Sequence, residues 1–344
     1  MCLALAQVTR SIENAKKEQE IKNYKRDRAY KVVSEQKEME RRLAERRIGA
    51  VDPDFKAKHA AATLRRMHAT AVHFITDDFT AALPRICEGD LVLVGAQSKH
   101  GKSSVAANLA ADNIKRDLRV LVLTNEETET AVRNRVACIT LGFSYALMEN
   151  NRLAPENVLQ VIEMADKQSG ALFVEDNETI SGQTSTEFGI RKILADLHAS
   201  EDRFDLVIFD FITACNAPDA TTSKTTTLLN VMALFKQAKN TYGAPFVVFA
   251  QLCEKTKVKP EFAQRIQWAT HLVNDATLCV EIIKDEERKR TMLRRHQTRF
   301  DTGNLPGQAV AKFDGGRIVD LSSAEMSALQ ALLADDDPAT ANGK

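Results

Sequence analysis

The chain has 344 residues, 44% hydrophobic and 27% charged, which excludes a globally disordered polymer and leaves room for one large domain or two ordinary ones. Lys plus Arg and Asp plus Glu each number 47, so no whole-molecule basic field exists to hold a polyanion, and any nucleic-acid contact must use a local patch. No apolar run approaches the roughly 20 residues of a membrane-spanning helix. The start, MCLALAQVTRSIENAKK, lacks the basic and long apolar segments of a secretory signal, so the expected location is the cytoplasm. Cys2, Cys87, Cys138, Cys215, Cys253 and Cys279 have neither CxxC nor paired spacing, which points to reduced thiols rather than zinc ligands or disulfides.

Residues 11–48 are almost free of Gly and Pro and rich in Lys, Arg, Glu, Gln and Ala, predicting one long helix or two. Apolar positions there are too sparse for a core, so the segment is expected to be solvated or to lie on a partner surface. GAVDP at 49–53 breaks the pattern, residues 55–68 read as a second helix, and the domain boundary falls between 69 and 75. The expected division is a charged helical segment over 1–70, one large domain over 71–325, and a helix end with an acidic tail over 326–344.

From residue 90 on, short apolar runs alternate with helical stretches: 91–94, 120–123, 172–174, 206–209, 246–249 and 278–283. Several lack polar alternation, as strands buried on both faces of a parallel α/β sheet do. After Ile283 the strand candidates crowd together, at 291–295, 309–313 and 317–321, suggesting an antiparallel extension.

The first of these strands runs into Gly95-Ala96-Gln97-Ser98-Lys99-His100-Gly101-Lys102-Ser103-Ser104 and then a helical run. Strand, loop, helix in that order is the setting of a phosphate-binding loop. Loop and helix N–H groups cradle phosphates, Lys102 neutralises the outer oxygens, and Ser103 ligates Mg²⁺. Ala96, Ser98, His100, Gly101 and Ser104 complete the candidate cradle, although Ala96 stands where the usual pattern has its first Gly.

Phosphoryl transfer also needs a carboxylate beside the metal and a group that orients water. Strand 206–209 ends in Asp210, a candidate metal-side acid. Strand 120–123 delivers Glu126 and Glu127, either of which suits activation of water. Strand 246–249 continues to Gln251, a neutral amide suited to reporting the γ-phosphate.

With these residues in place, the chain from about Asp90 to Leu321 resembles the RecA-like motor domain of hexameric replicative helicases, the DnaB group and its bacteriophage relatives. AQSKHGKS at 96–103 departs from the general loop in that family's direction, TNEET at 124–128 is similar to its catalytic-glutamate motif, and LVIFDF and PFVVFAQL resemble its Walker B and sensor strands. The segment ITDDFTAALPRICEGDLVLVGA resembles the entry into that domain.

The resemblance implies ATP and Mg²⁺, a homo-oligomeric, hexameric ring on single-stranded DNA, and Glu126 as the catalytic glutamate that positions the attacking water. It also implies an arginine supplied by the neighbouring subunit, for which Arg299 in LRRHQTRFDTGNLPG is the first candidate and Arg295 the second. DNA contact is expected from loops 216–227 and 254–265, through Lys224, Lys255, Lys257, Lys259 and Arg265. The family's large N-terminal domain has no counterpart in the roughly 70 residues before the motor, which puts primase binding in doubt and suggests a minimal, phage- or plasmid-type form whose N-terminal helix docks on the next subunit. The implied function is ATP-driven unwinding, with a primase or loader as further partner. One alternative keeps the fold, a recombination or repair ATPase related to RecA and RadA; another is of a different class, a nucleotide-gated DNA-binding or loading module in which little ATP is hydrolysed.

Overall fold

The computed structural model describes residues 71–176, 184–199, 203–217, 221–254, 261–268, 270–285, 287–299, 305–314 and 316–335. The expected helices at 11–48 and 55–68, Lys255, Lys257, Lys259 and the tail after Asp335 lie outside these residues.

Nine strands form one sheet: β1 (Leu91–Gln97), β2 (Val120–Thr124), β3 (Leu172–Glu175), β4 (Leu206–Asp210), β5 (Phe246–Leu252), β6 (Leu278–Asp285), β7 (Arg290–Thr298), β8 (Gln308–Asp314) and β9 (Arg317–Asp320). Their order is β3-β2-β4-β5-β1-β6-β7-β8-β9. The first six are parallel and the last three antiparallel, as the spacing of the apolar runs predicts. The chemistry of the connections explains the switch. Strands β1 to β6 are separated by stretches long enough for crossovers, whereas four residues join β6 to β7 and Gly315-Gly316 alone join β8 to β9, lengths that allow only hairpins.

Helices cover both faces. In chain order they are α1 (Asp77–Ala81), α2 (Lys102–Ile114), α3 (Glu129–Leu141), α4 (Tyr145–Glu149), α5 (Pro155–Lys167), α6 (Glu187–Ala199), α7 (Lys224–Tyr242), α8 (Phe262–Arg265) and α9 (Ser323–Asp335). Because side chains alternate along a strand, β1 feeds two cores. Val92, Val94 and Ala96 pack with Leu109 and Ala110 of α2, while Leu91 and Leu93 pack with Leu228, Met232 and Phe235 of α7. Each fully buried Val, Leu, Met or Phe side chain among these contributes about 1.5–3 kcal/mol. A small satellite core, with Ala137, Cys138 and Val161, joins α3 to α5.

The antiparallel extension is pinned onto the parallel half. The Asn108 amide on α2 donates to the Gly316 carbonyl at 2.8 Å and accepts from the Ile318 N–H at 2.9 Å. The ends of β1, β2, β4 and β5 therefore share one edge of a braced sheet, the carboxyl edge where ligands bind in open α/β folds.

Candidate nucleotide site

The loop between β1 and α2 is shaped for an anion. Gly101, the residue before α2, has φ +78°, a left-handed conformation that suits glycine, and no side chain caps the helix N-terminus. The first N–H groups of α2 therefore point toward the loop with the positive end of the helix dipole behind them. His100 accepts the Lys284 N–H at 3.4 Å, which ties the loop to β6. Gly95, one residue before the usual position, lies within β1, and a Cβ there would stand 2.6 Å from the Phe262 ring. This glycine admits a neighbouring aromatic side chain, and the fully buried Ala96 follows it within β1.

Lys102, Ser103, Asp210 and Glu126 converge at this edge. Thr124, at the end of β2, pairs in register with Asp210 at the end of β4. Asn125 fastens the two strand ends together: its amide donates to the Phe211 carbonyl at 3.0 Å and accepts the Phe211 N–H at 3.1 Å. The Lys102 ammonium lies 4.5 Å from the centre of the Phe211 ring. Burial lowers its pKa, against the opposing charges of Asp210 and Glu126. Burial likewise pushes Asp210 up to about 6, resisted by a hydrogen bond from Ser103 and the charge of Lys102, and reinforced by Glu127 and Glu126.

The two glutamates have different surroundings. Glu127 is held by Arg135 at 2.7 Å, and Arg135 in turn lies 4.6 Å from the Tyr145 ring centre. Burial raises the pKa of Glu127 despite that partner. Glu126 is exposed at the strand end and is felt by both Lys102 and Asp210. Gln251 stands beside the loop because β5 pairs with β1 so that Gln251 faces Ala96, and the Thr213 hydroxyl accepts the Gln251 N–H at 3.0 Å.

Arg299 lies elsewhere. It follows Thr298, which pairs with Leu278 at the start of β6, level with Val92 near the start of β1. The phosphate loop begins five residues farther along β1, about 17 Å at the rise of a strand. Arg299 is exposed and donates to the Asn274 carbonyl of its own chain. The second finger candidate, Arg295, is engaged by the carbonyls of Ala82 and Leu305 at 3.1 and 3.3 Å.

The expected DNA residues separate in the structure. Lys224 is half-buried at the first position of α7, so residues 224–227 belong to a helix rather than to the loop that the sequence suggests. Ser223 ends the loop early because its hydroxyl accepts the Thr226 N–H at 3.1 Å and caps the helix. Arg265 must be corrected as a DNA contact: it is buried, paired with Glu281 at 2.6 Å, and donates to the Cys253 carbonyl at 3.1 Å. His296 holds the other oxygen of Glu281 at 2.8 Å and stacks on Phe262, with ring centres 4.6 Å apart.

Asn125, Thr213 and Phe211 are contributions that sequence reasoning missed. Each lies within a few residues of a strand end carrying a candidate acid, and that position was the available signal.

The donors present fit Mg²⁺. One oxygen of buried Asp210 lacks a hydrogen-bond partner, and the carboxylate is bonded to the Ser103 hydroxyl, so two hard oxygen groups face one point beside the cradle. Among the described residues no cluster of three His, Cys, Asp or Glu could hold a metal instead, and no helix is long and apolar enough to cross a membrane.

Comparison with known proteins agrees with this arrangement. The fold is similar to that of a DnaB-like replicative helicase described with its interactions with primase: TM-score 0.57 at 14% identity, covering 69% of this chain and 58% of that one. It is also similar to a second solved structure, an isolated ATPase domain, with TM-score 0.62 at 14% identity, covering 79% of this chain and all of that one. The match thus spans less than two thirds of the first of these proteins. A comparison with curated proteins gives no significant match. Residues 75–298 match the DnaB-like helicase C-terminal domain, which takes in the strands from β1 to β7 and every acid and amide of the site, and the chain belongs to that family.

Proposed function

We propose that the chain is an ATP-dependent DNA helicase that moves along single-stranded DNA as a ring of six copies and excludes the complementary strand. Convergence of Lys102, Ser103, Asp210 and Glu126 on one sheet edge is the observation that carries this reading. In it, the loop N–H groups and Lys102 bind the phosphates of ATP, and Ser103 and Asp210 hold Mg²⁺. The ion, when bound, supplies positive charge against the phosphate oxygens.

Glu126 orients the attacking water and accepts its proton. Gln251 donates to the γ-phosphate or the water and relays its loss along β5. Arg299 completes the site of the neighbouring subunit, because its place at the opposite edge of the sheet suits action in trans. Lys224 contacts DNA phosphates without reading bases. Residues 71–325 form the motor, residues 1–70 and 326–344 flank it, and the whole acts in the cytoplasm of a bacterium or an infected host. A primase or loader is part of the proposal, since one member of the family is described with a primase.

The test is steady-state ATP hydrolysis with and without single-stranded DNA, followed by unwinding of a forked duplex. The wild type is expected to show DNA-stimulated turnover and strand separation, and Lys102→Ala to abolish both. Turnover that survives the substitution overturns the site. DNA-stimulated turnover without strand separation rejects the helicase while leaving the ATPase standing.

A further inference from the structure

Trp268 is the sole tryptophan of the chain, and it is 64% exposed. Its backbone takes φ +68°, a left-handed conformation that bulky residues disfavour, so the surrounding contacts impose it. Those contacts come from two directions. Residues 265–267 run back antiparallel along the end of β5: the Cys253 N–H donates to the Arg265 carbonyl at 2.7 Å, and the Gln267 N–H donates to the Gln251 carbonyl at 3.1 Å. From the other side, the Thr225 hydroxyl in the first turn of α7 donates to the Trp268 carbonyl at 2.5 Å. The buried Arg265–Glu281 pair and the Phe262–His296 stack anchor the returning limb.

The backbone that carries this unburied indole is thus fastened between the candidate phosphate sensor and the turn that bears Lys224. An exposed aromatic face on a limb that is bonded to the helix turn carrying Lys224, the residue before Thr225, brings together the two chemistries used to hold single strands. The cation tracks the backbone, and the ring accepts any base because every base has a π-face.

We propose that Trp268 is a stacking platform for one nucleobase of single-stranded DNA, with Lys224, on the helix turn bonded to it through Thr225, serving a nearby phosphate. The inference rests on the DNA-motor reading above and adds a contact to the base. It also gives hydrolysis a short route to DNA, since one hydrogen bond separates residue 267 from Gln251.

Because no other tryptophan contributes, indole emission from the full-length protein reports this position alone. Oligo(dT) is titrated while emission is followed, and binding is measured in parallel by anisotropy of fluorescein-labelled oligo(dT) over a range of salt. The variants are Trp268→Phe and Trp268→Ala, each checked for folding by circular dichroism. The expected result is quenching that saturates together with anisotropy, and a Kd about ten- to a hundredfold weaker for Trp268→Ala. Trp268→Phe should keep most of the affinity. The salt slope of Trp268→Ala should stay unchanged, because stacking releases no counterions.

Unchanged emission at saturation, or unchanged affinity of Trp268→Ala, overturns the platform while leaving DNA binding intact. Emission that depends on protein concentration without DNA, together with an altered oligomer mass in Trp268→Ala, overturns it in favour of a contact between subunits. Wild-type protein that hydrolyses ATP but binds no oligo(dT) overturns the underlying DNA reading as well, and is told apart by that result.

Discussion

Glu126 and Glu127 are neighbours of identical chemistry, and their surroundings separate them. Glu127 is neutralised by Arg135 at 2.7 Å, so its charge is spent on joining β2 to α3. Glu126 is exposed near Lys102. Replacing Glu126 with Gln keeps shape and hydrogen bonding but removes the proton acceptor. Turnover is expected to fall about 10²- to 10⁴-fold, with nucleotide affinity retained. Glu127→Gln should keep turnover near wild type, and its cost should appear in the unfolding midpoint. Steady-state hydrolysis and nucleotide titration of both variants decide the matter, and the reverse pattern moves the catalytic role to Glu127. The phosphate loop and the strand-end acids were legible in the sequence because each is local: a strand delivers its last residue to the sheet edge whatever surrounds it. Arg265 was misread for the opposite reason. Its burial depends on Glu281, 16 residues away on strand β6.

The strands were legible as elements because burial on both faces leaves an apolar run without alternation, and hairpin spacing betrays the antiparallel part. Helix starts were less so, as α7 shows, where one serine cap takes four residues from an expected loop. Cooperation between β6, β7 and the limb carrying Arg265 is set by pairing and invisible to local pattern. Here Glu281 accepts from both Arg265 and His296. Burial alone would raise its pKa, but these bonds and charges outweigh burial and hold it below the ordinary carboxylate range. A depressed folded-state pKa gives stability that is complete above the unfolded value of about 4.3 and is lost as pH falls through the folded value. Glu281→Gln leaves Arg265 buried without its counter-charge and is expected to cost about 3–5 kcal/mol near neutral pH. The gap from wild type should narrow as pH drops below about 4. Urea unfolding at pH 7 and in the acid range measures both, and a gap independent of pH would show that Glu281 stabilises by shape alone.

The proposed finger is tested in an assembly of several copies rather than in one chain. Arg299 lies about 17 Å of strand rise from its own phosphate loop, its register fixed by the pairing of Thr298 with Leu278. The proposed role for an arginine so placed is at the site of a neighbour whose nucleotide faces that edge. This yields a test that separates a residue acting in trans from one that merely stabilises the fold. Arg299→Ala keeps a competent loop but offers no finger, and Lys102→Ala offers the finger but binds phosphate poorly, so each alone is expected to lose most turnover, by about 10³-fold or more for the finger. Mixed in equal amounts under conditions of subunit exchange, they form some interfaces with the loop from one variant and the finger from the other. Random assembly makes about a quarter of the interfaces complete in a cyclic ring, so mixing should restore ATP hydrolysis well above the sum of the parts. Mass photometry on the same samples confirms that mixed oligomers form. Mixed rings that stay as inactive as their components would mean that Arg299 serves its own subunit or none, and the search for the group that completes the site would turn to Arg295.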